Sequence, residues 1–326
     1  MSSQPQFPIS LDSLVKTPPL LNLGAMEVDI GHMVRGAGGS SHSNPNPTNE
    51  RRELVMISIL ISHPTEGLIL YETGCGHDYP RVWGAPLNDL FNRVDFSLEH
   101  EYNSIHAAER GISKHTDSIN RLPAAIAATG NDIKDVKAVI MGHLHLDHAG
   151  GLENFKGTDV PIYVHEIELK HAYHTIATKT DPGVYLPHYL TFDLNWQTWS
   201  SLTWEFTTGI TLHLTPGHTP GLAIMQVNLL ESGTWVFTSD MYHVRENWEE
   251  AIPQGFVGWA LGRGEGFDVE EMGYARDDWL LRDHNDWIQS HQRVKSLVKR
   301  TNAKIILGHD KEYFLKHWKA SAEYYA

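Results

Sequence analysis

Gly142-His143-Leu144-His145-Leu146-Asp147-His148-Ala149-Gly150-Gly151 follows Val136 to Met141, an apolar, β-branched run that reads as a buried strand. In extended backbone alternate side chains share a face, so His143, His145 and Asp147 point the same way. His148 falls where the chain turns into a helix and aims at a neighbouring point. Gly150 and Gly151 let other backbone pack closely behind the segment. Imidazole and carboxylate together suit zinc, and also accept iron, cobalt or manganese. A histidine-rich surface loop is the bland alternative. The position directly after a buried strand and before a Gly-Gly pair argues against it.

Working outward, Leu54 to Ile61 and Leu68 to Tyr71 flank the turn His63-Pro64-Thr65-Glu66-Gly67, a hairpin signal inside a buried sheet. Residues 121–128, with Pro123 near the start and Gly130 beyond the end, predict a short helix. Further strands are expected at Pro161–Val164, Ile210–Thr215, Thr234–Thr238 and Lys304–Leu307, and an amphipathic helix at Asp283–Arg300. Strands alternating with helices indicate an α/β layered fold. Gly36 to Glu50 is rich in Gly, Ser, Asn and Pro and reads as an exposed loop. Segments 171–205 and 243–282 are aromatic-rich and irregular in period, and read as insertions covering one end of a single domain over 1–326.

A two-metal site needs more ligands than one segment supplies. His218 stands in the tight loop Thr215-Pro216-Gly217-His218-Thr219-Pro220-Gly221. Asp240 ends the run Trp235 to Asp240, and His309 ends Ile305 to His309. Each follows an expected strand, the place where open α/β sheets put ligand sites.

Together these segments resemble the metallo-β-lactamase superfamily, and their spacing with the closing Gly308-His309-Asp310 looks most like the N-acyl homoserine lactone lactonases. The resemblance spans roughly residues 20–318. It implies an αββα sandwich, two mixed sheets flanked by helices. It also implies that His143, His145 and His218 bind one zinc, that Asp147, His148 and His309 bind a second, and that Asp240 bridges both. Thr73-Gly74 matches the superfamily's Asp-Thr-Gly turn beneath the metals, with Glu72 in place of aspartate. Where such lactonases carry a tyrosine after the bridging aspartate, this chain has His243, with Tyr242 one place earlier. Either serves as the oxyanion donor under this reading. The implied reaction is attack of a metal-bridging hydroxide on a hydrophobic lactone, with Asp147 passing a proton to the departing alkoxide. A phosphotriesterase, an arylesterase or a glyoxalase II-like thioesterase would use the same motif.

Composition narrows the partners. The formal charge of −14 repels nucleic acid backbones and anionic membrane surfaces. The single cysteine, Cys75, forbids an internal disulfide and is expected to be a small buried packing residue. The start Met1 to Pro8 lacks a basic and an apolar region, and no run approaches the roughly 18 apolar residues of a membrane span. A cytoplasmic protein is expected, with room left for a homodimer. Of the 21 histidines, His165 reads as structural, His171 and His174 as a helix face, and His284 and His291 as solvated. Tyr185, Tyr189, Phe192, Trp196, Trp199, Phe256 and Trp259 either wall an apolar cleft or seal the core; Met26, Ile30 and Met33 are further cleft candidates.

Overall fold

Strand β2 (Arg51–His63) is buried at every position from Leu54 to Ile61, which is why it reads as a continuous apolar run. Its Val55, Ile57, Ile59 and Ile61 face a second sheet, while Leu54, Met56 and Leu60 face covering helices. In this computed structural model the described residues are 20–34, 37–40, 42–77, 79–94, 121–180, 184–191, 193–230, 232–249 and 282–317. Residues 250–281, most of the second expected insertion, lie outside them, as do Phe192, Phe256 and Trp259.

Seven strands form the first sheet in the order β4-β1-β2-β3-β5-β6-β7. These are β1 (Leu20–Asp29), β2, β3 (Gly67–Tyr71), β4 (Asn92–Val94), β5 (Val136–Ile140), β6 (Pro161–His165) and β7 (Asn195–Trp199). The pairs from β3 to β7 are parallel and the others antiparallel. The second sheet runs β12-β11-β10-β9-β8, with β8 (Thr203–Thr207), β9 (Ile210–Leu214), β10 (Ala223–Leu229), β11 (Gly233–Phe237) and β12 (Lys304–Ile306). Leu212, Met225, Phe237 and Ile306 of this sheet meet Ile57, Ile69, Ala138 and Ile140 of the first.

The outer face of the first sheet packs Val139 and Ile162 against Leu122 and Ile126 of the helix Leu122–Ala127 and Ala172 of the helix Glu166–Thr178. On the other side, Ile224, Val236 and Leu307 pack against Trp287, Val294 and Leu297 of the helix His284–Thr301. The order helix, sheet, sheet, helix is the αββα sandwich expected, with two mixed sheets.

Segment 171–205 departs from its reading as an irregular insertion. It completes a 13-residue helix and contains β7 and the start of β8. Both are edge strands, each paired along one side only, so their apolar positions do not follow the buried-strand pattern. His291, expected to be solvated, is buried, whereas Cys75 is buried as expected. Among the described residues, no helix is long and apolar enough to cross a membrane.

Strand direction sets up the site. Strands β3 and β5 are parallel, as are β11 and β12, and β9 shares the direction of β11 through antiparallel β10. The turns after β3, β5, β9, β11 and β12 therefore gather at one rim of the sandwich. Ala223 N–H donates to the Gly142 carbonyl at 2.8 Å and Val55 N–H to the His309 carbonyl at 3.1 Å, stitching the two sheets together there.

Candidate metal centre

Four of these turns deliver His143 to His148, His218, Asp240 and His309, and every one of these metal-ligand candidates is buried. The structure brings the seven together in two sets. Ligand atoms of His143, His145, His218 and Asp240 lie within 4.8 Å of one another, and so do those of Asp147, His148, His309 and Asp240. Asp240 belongs to both, one oxygen toward each. Its Oδ2 is 3.5 Å from His143 Nε2 and 3.4 Å from His218 Nε2. Its Oδ1 is 3.2 Å from His148 Nε2 and 3.0 Å from His309 Nε2. Asp147 Oδ2 closes the second set, 3.5 Å from His148 Nε2 and 3.4 Å from His309 Nε2. In the first, His145 Nδ1 and His218 Nε2 are 3.0 Å apart. Two ligands bound tetrahedrally at zinc–nitrogen distance are separated by about 3.3 Å, so the spacing suits a cation at each set.

The tautomers point the same way. Ser239 Oγ donates to Glu72 Oε1 at 2.8 Å and must accept from His143 Nδ1 at 3.0 Å. His143 Nε2 is then a bare lone pair, buried without a hydrogen-bond partner and facing a carboxylate. His309 Nδ1 donates to the Val55 carbonyl at 2.8 Å, and His148 Nδ1 lies 3.2 Å from Glu72 Oε2. The His309 Nε2 lone pair likewise converges on carboxylate oxygens. Acceptors facing acceptors in a dry site need a positive charge between them. The donor set therefore fits a pair of cations, and neutral imidazole is the form that binds them.

Protonation follows from the same crowding. Burial, then the charge of His148, holds His143 well below the usual imidazole range. Burial and then His145 do the same to His218, and burial brings His145 down to about 3. His148 goes the other way. Burial pulls it down, but the carboxylates of Asp240, Asp147 and Glu72 outweigh that and raise it well above. Burial pushes Asp240 up, yet the surrounding imidazoles, His148 first, hold it well below the carboxylate range.

Glu72 and Glu168 carry the outer layer. Glu72 takes a left-handed backbone, φ 64°, and its buried carboxylate reaches both His148 and, through Ser239, His143. Glu168 on the helix Glu166–Thr178 was not singled out from sequence, because a carboxylate in a helix's first turn looks like ordinary dipole compensation. It is fully buried. Desolvation raises its carboxyl to about 7 against donors that pull it down, Thr219 and Tyr185 first.

The oxyanion candidates separate cleanly. His243 Nε2 stands 3.1 Å from Asp240 Oδ2, its ring stacked on His309 and edge-on to His218. Tyr242 faces away from the cradle. Its hydroxyl is 2.9 Å from His291 Nδ1, and its ring lies beside Trp248 and Trp287 behind the second sheet. Consecutive residues in extended backbone point oppositely, so a turn that aims His243 inward aims Tyr242 out.

A cleft opens over the cradle. Met26, Met33, Leu54, Phe91 and Val184 wall it, and His145, Asp147, His218, Asp240, His243 and His309 form its floor. Met26 and Met33 thus stand where the sequence reading put them, while Ile30 is buried in the core. Tyr185, Tyr189 and Trp199 are core residues, and Trp196 packs half-buried against the core. Tyr189 donates to the Cys75 carbonyl at 2.8 Å. His165 caps the helix Glu166–Thr178 by accepting from Ile167 N–H, a structural role.

An N-acyl homoserine lactonase of Bacillus thuringiensis is 29% identical over 193 residues, which cover 59% of this chain and 63% of that protein. The match thus spans under two thirds of that relative's length. An N-acyl homoserine lactonase of a Bacillus species is 26% identical over 273 residues, 83% of this chain and 88% of its own. The solved structure of an N-acyl homoserine lactone hydrolase, with the product N-hexanoyl-L-homoserine at its catalytic metal center, has the same fold. Its TM-score is 0.61 at 22% identity, covering 92% of this chain and 96% of that one. The sequence profile of one family matches residues 57–309, which run from the middle of β2 through both sheets' ligand turns to the last histidine of the cradle: the chain belongs to the metallo-beta-lactamase superfamily.

Proposed function

We propose that the chain is a dinuclear zinc hydrolase that opens the ring of a hydrophobic lactone. The observation that carries this reading is the division of Asp240, whose two oxygens face two separate sets of ligand atoms. His143, His145 and His218 would hold one cation and Asp147, His148 and His309 the other. Two cations held there supply Lewis acidity and bring the pKa of water to about 7, and so provide a nucleophile at neutral pH. The names of the relatives favour a lactone as the bond attacked, and the apolar walls above the cradle suit an acyl chain.

The chain's own residues then have these roles. The wall of Met26, Met33, Leu54 and Phe91 excludes water and orients the acyl chain, placing the lactone ring over the floor. His243 donates a hydrogen bond to the carbonyl oxygen as negative charge builds on it. Asp147, whose carboxylate lies at the cleft floor, passes a proton to the ring oxygen as the ester bond breaks. The product is a hydroxy acid, and no covalent acyl-enzyme forms.

The test is a substrate panel on the zinc-loaded and the metal-stripped protein: an N-acyl homoserine lactone, a thioester, an aryl ester and a phosphotriester. The lactone is expected to have kcat/KM at least about tenfold above the others, with activity lost on stripping and restored by zinc. Preference for the thioester or phosphotriester, or activity indifferent to stripping, overturns the reading.

A further inference from the structure

The three histidines of the first ligand set stand on two loops that share no strand pairing, and one buried side chain touches both. Glu168 Oε1 accepts from Leu144 N–H at 3.0 Å, between His143 and His145 in the chain. Its Oε2 accepts from Thr219 Oγ1 at 2.6 Å, next to His218, and Gly221 N–H of the same loop also donates to the carboxylate. The Tyr185 hydroxyl donates to Oε1 at 2.9 Å, and the Tyr185 ring stands edge-on to His145 at 4.7 Å. Four donors on two oxygens use the carboxylate's acceptor sites fully.

A second, independent feature shows that the loop is built to meet this residue. A Cβ at Gly221 would lie 2.2 Å from Glu168 N and 2.5 Å from its Cα. Only glycine lets the His218 loop come that close to the first turn of the helix.

We infer that Glu168 is the positioning residue of the His143–His145–His218 set, holding its two loops at the separation that lets their imidazoles share one cation. It touches no reacting atom. It acts on the backbone on either side of the ligands, so its loss splays the two loops apart. Among the described residues no hydrogen bond or ion pair joins Asp147, His148 or His309 to it, and His148 and His309 have their own braces, Glu72 and the Val55 carbonyl. The inference rests on the two-cation reading. Its specific content is that one carboxylate governs one of the two cations and spares the other.

The experiment is a zinc titration in competition with a chromophoric chelator, on the wild-type chain and on Glu168→Gln. Glutamine keeps the shape but turns two acceptor sites into donors that face donors. Wild type is expected to bind two zinc per chain. In Glu168→Gln one zinc should weaken about 10- to 100-fold, the usual penalty for losing an outer-layer partner, while the other keeps its wild-type affinity. Thr219→Val removes a single donor in an isosteric shape, and carries the same test with a smaller loss if Glu168→Gln does not fold. A thermal melt of the metal-free proteins runs alongside. If both variants lower the melting temperature yet bind two zinc as wild type does, Glu168 is merely structural and this inference fails while the two-cation reading stands. If both zincs weaken equally, the selectivity claimed is wrong. If wild type binds fewer than two, both readings fall.

Discussion

The two ligand sets differ in their main brace, although Glu72 of the second also reaches the first through Ser239 and the Gly142 N–H. His143, His145 and His218 sit on loops whose backbone amides and hydroxyl converge on Glu168. His148 and His309 are held ring by ring, through their Nδ1 atoms, by Glu72 and the Val55 carbonyl. The first device fixes where loops lie; the second fixes which nitrogen carries the proton. The difference follows from origin. His218 comes from a Pro- and Gly-bounded loop between β9 and β10, and its loop needs anchoring. His309 follows β12 directly, so the sheet already places it and only its tautomer remains to be set. Asp240 is the one ligand the two sets share.

That sharing sets the largest expected effect. Asp240→Asn removes the negative charge facing five imidazoles, four of them in the two sets, and should empty both sets together. Zinc per chain should fall from two toward zero, and lactone hydrolysis by about 10³-fold or more. Measured by elemental analysis of the dialysed variant, retention of one tight zinc would break the symmetry claimed for Asp240 and assign it to a single set.

His243 sharpens the comparison because it touches both sets while belonging to neither. Its ring stacks on His309 and meets His218 edge-on. If it acts as an oxyanion donor, His243→Phe should lower kcat about 10²-fold with two zinc still bound and KM little changed. Steady-state kinetics on the zinc-loaded variant check this. Selective loss of one zinc would instead make His243 a ligand of that set.

Much of this centre could be read from the chain because its chemistry is local. His143 to His148 is contiguous, Asp240 and His309 each follow an apolar run, and His218 stands in a Pro- and Gly-bounded loop after the alternating strand β9. Strands β2, β3, β5 and β6 were legible because burial leaves mostly apolar runs, interrupted only by residues such as Ser58 and Lys137. What escaped reading depends on distant partners. Strands β7 and β8 are paired along one side only, so segment 171–205 reads as an irregular, aromatic-rich insertion. Strand β1 is broken by the register shift between Asn22 and Ala25. Glu168 looks like any first-turn carboxylate until Leu144 and Thr219, 24 and 51 residues away, are seen to donate to it. Its role exists only in the assembled sandwich.

Tyr242 gives the smallest effect and the strictest control on the site's boundary. It is adjacent to His243 and carries a hydroxyl, so from sequence alone it competes with His243 as the oxyanion donor. In the fold its hydroxyl faces His291, and the second sheet's packing against Trp287 and Trp248 holds it there. Reaching the cleft would require turning the ring through the backbone that carries Asp240. Tyr242→Phe removes only the hydrogen bond to His291, which costs about 1 kcal/mol and should lower the melting temperature by about 2 °C. Turnover should stay within about twofold of wild type, because neither the cleft floor nor either set loses a contact. A tenfold loss of kcat with the melting temperature unchanged would mean that the turn 239–244 reverses during catalysis, and His243 would then lose its claim to the oxyanion.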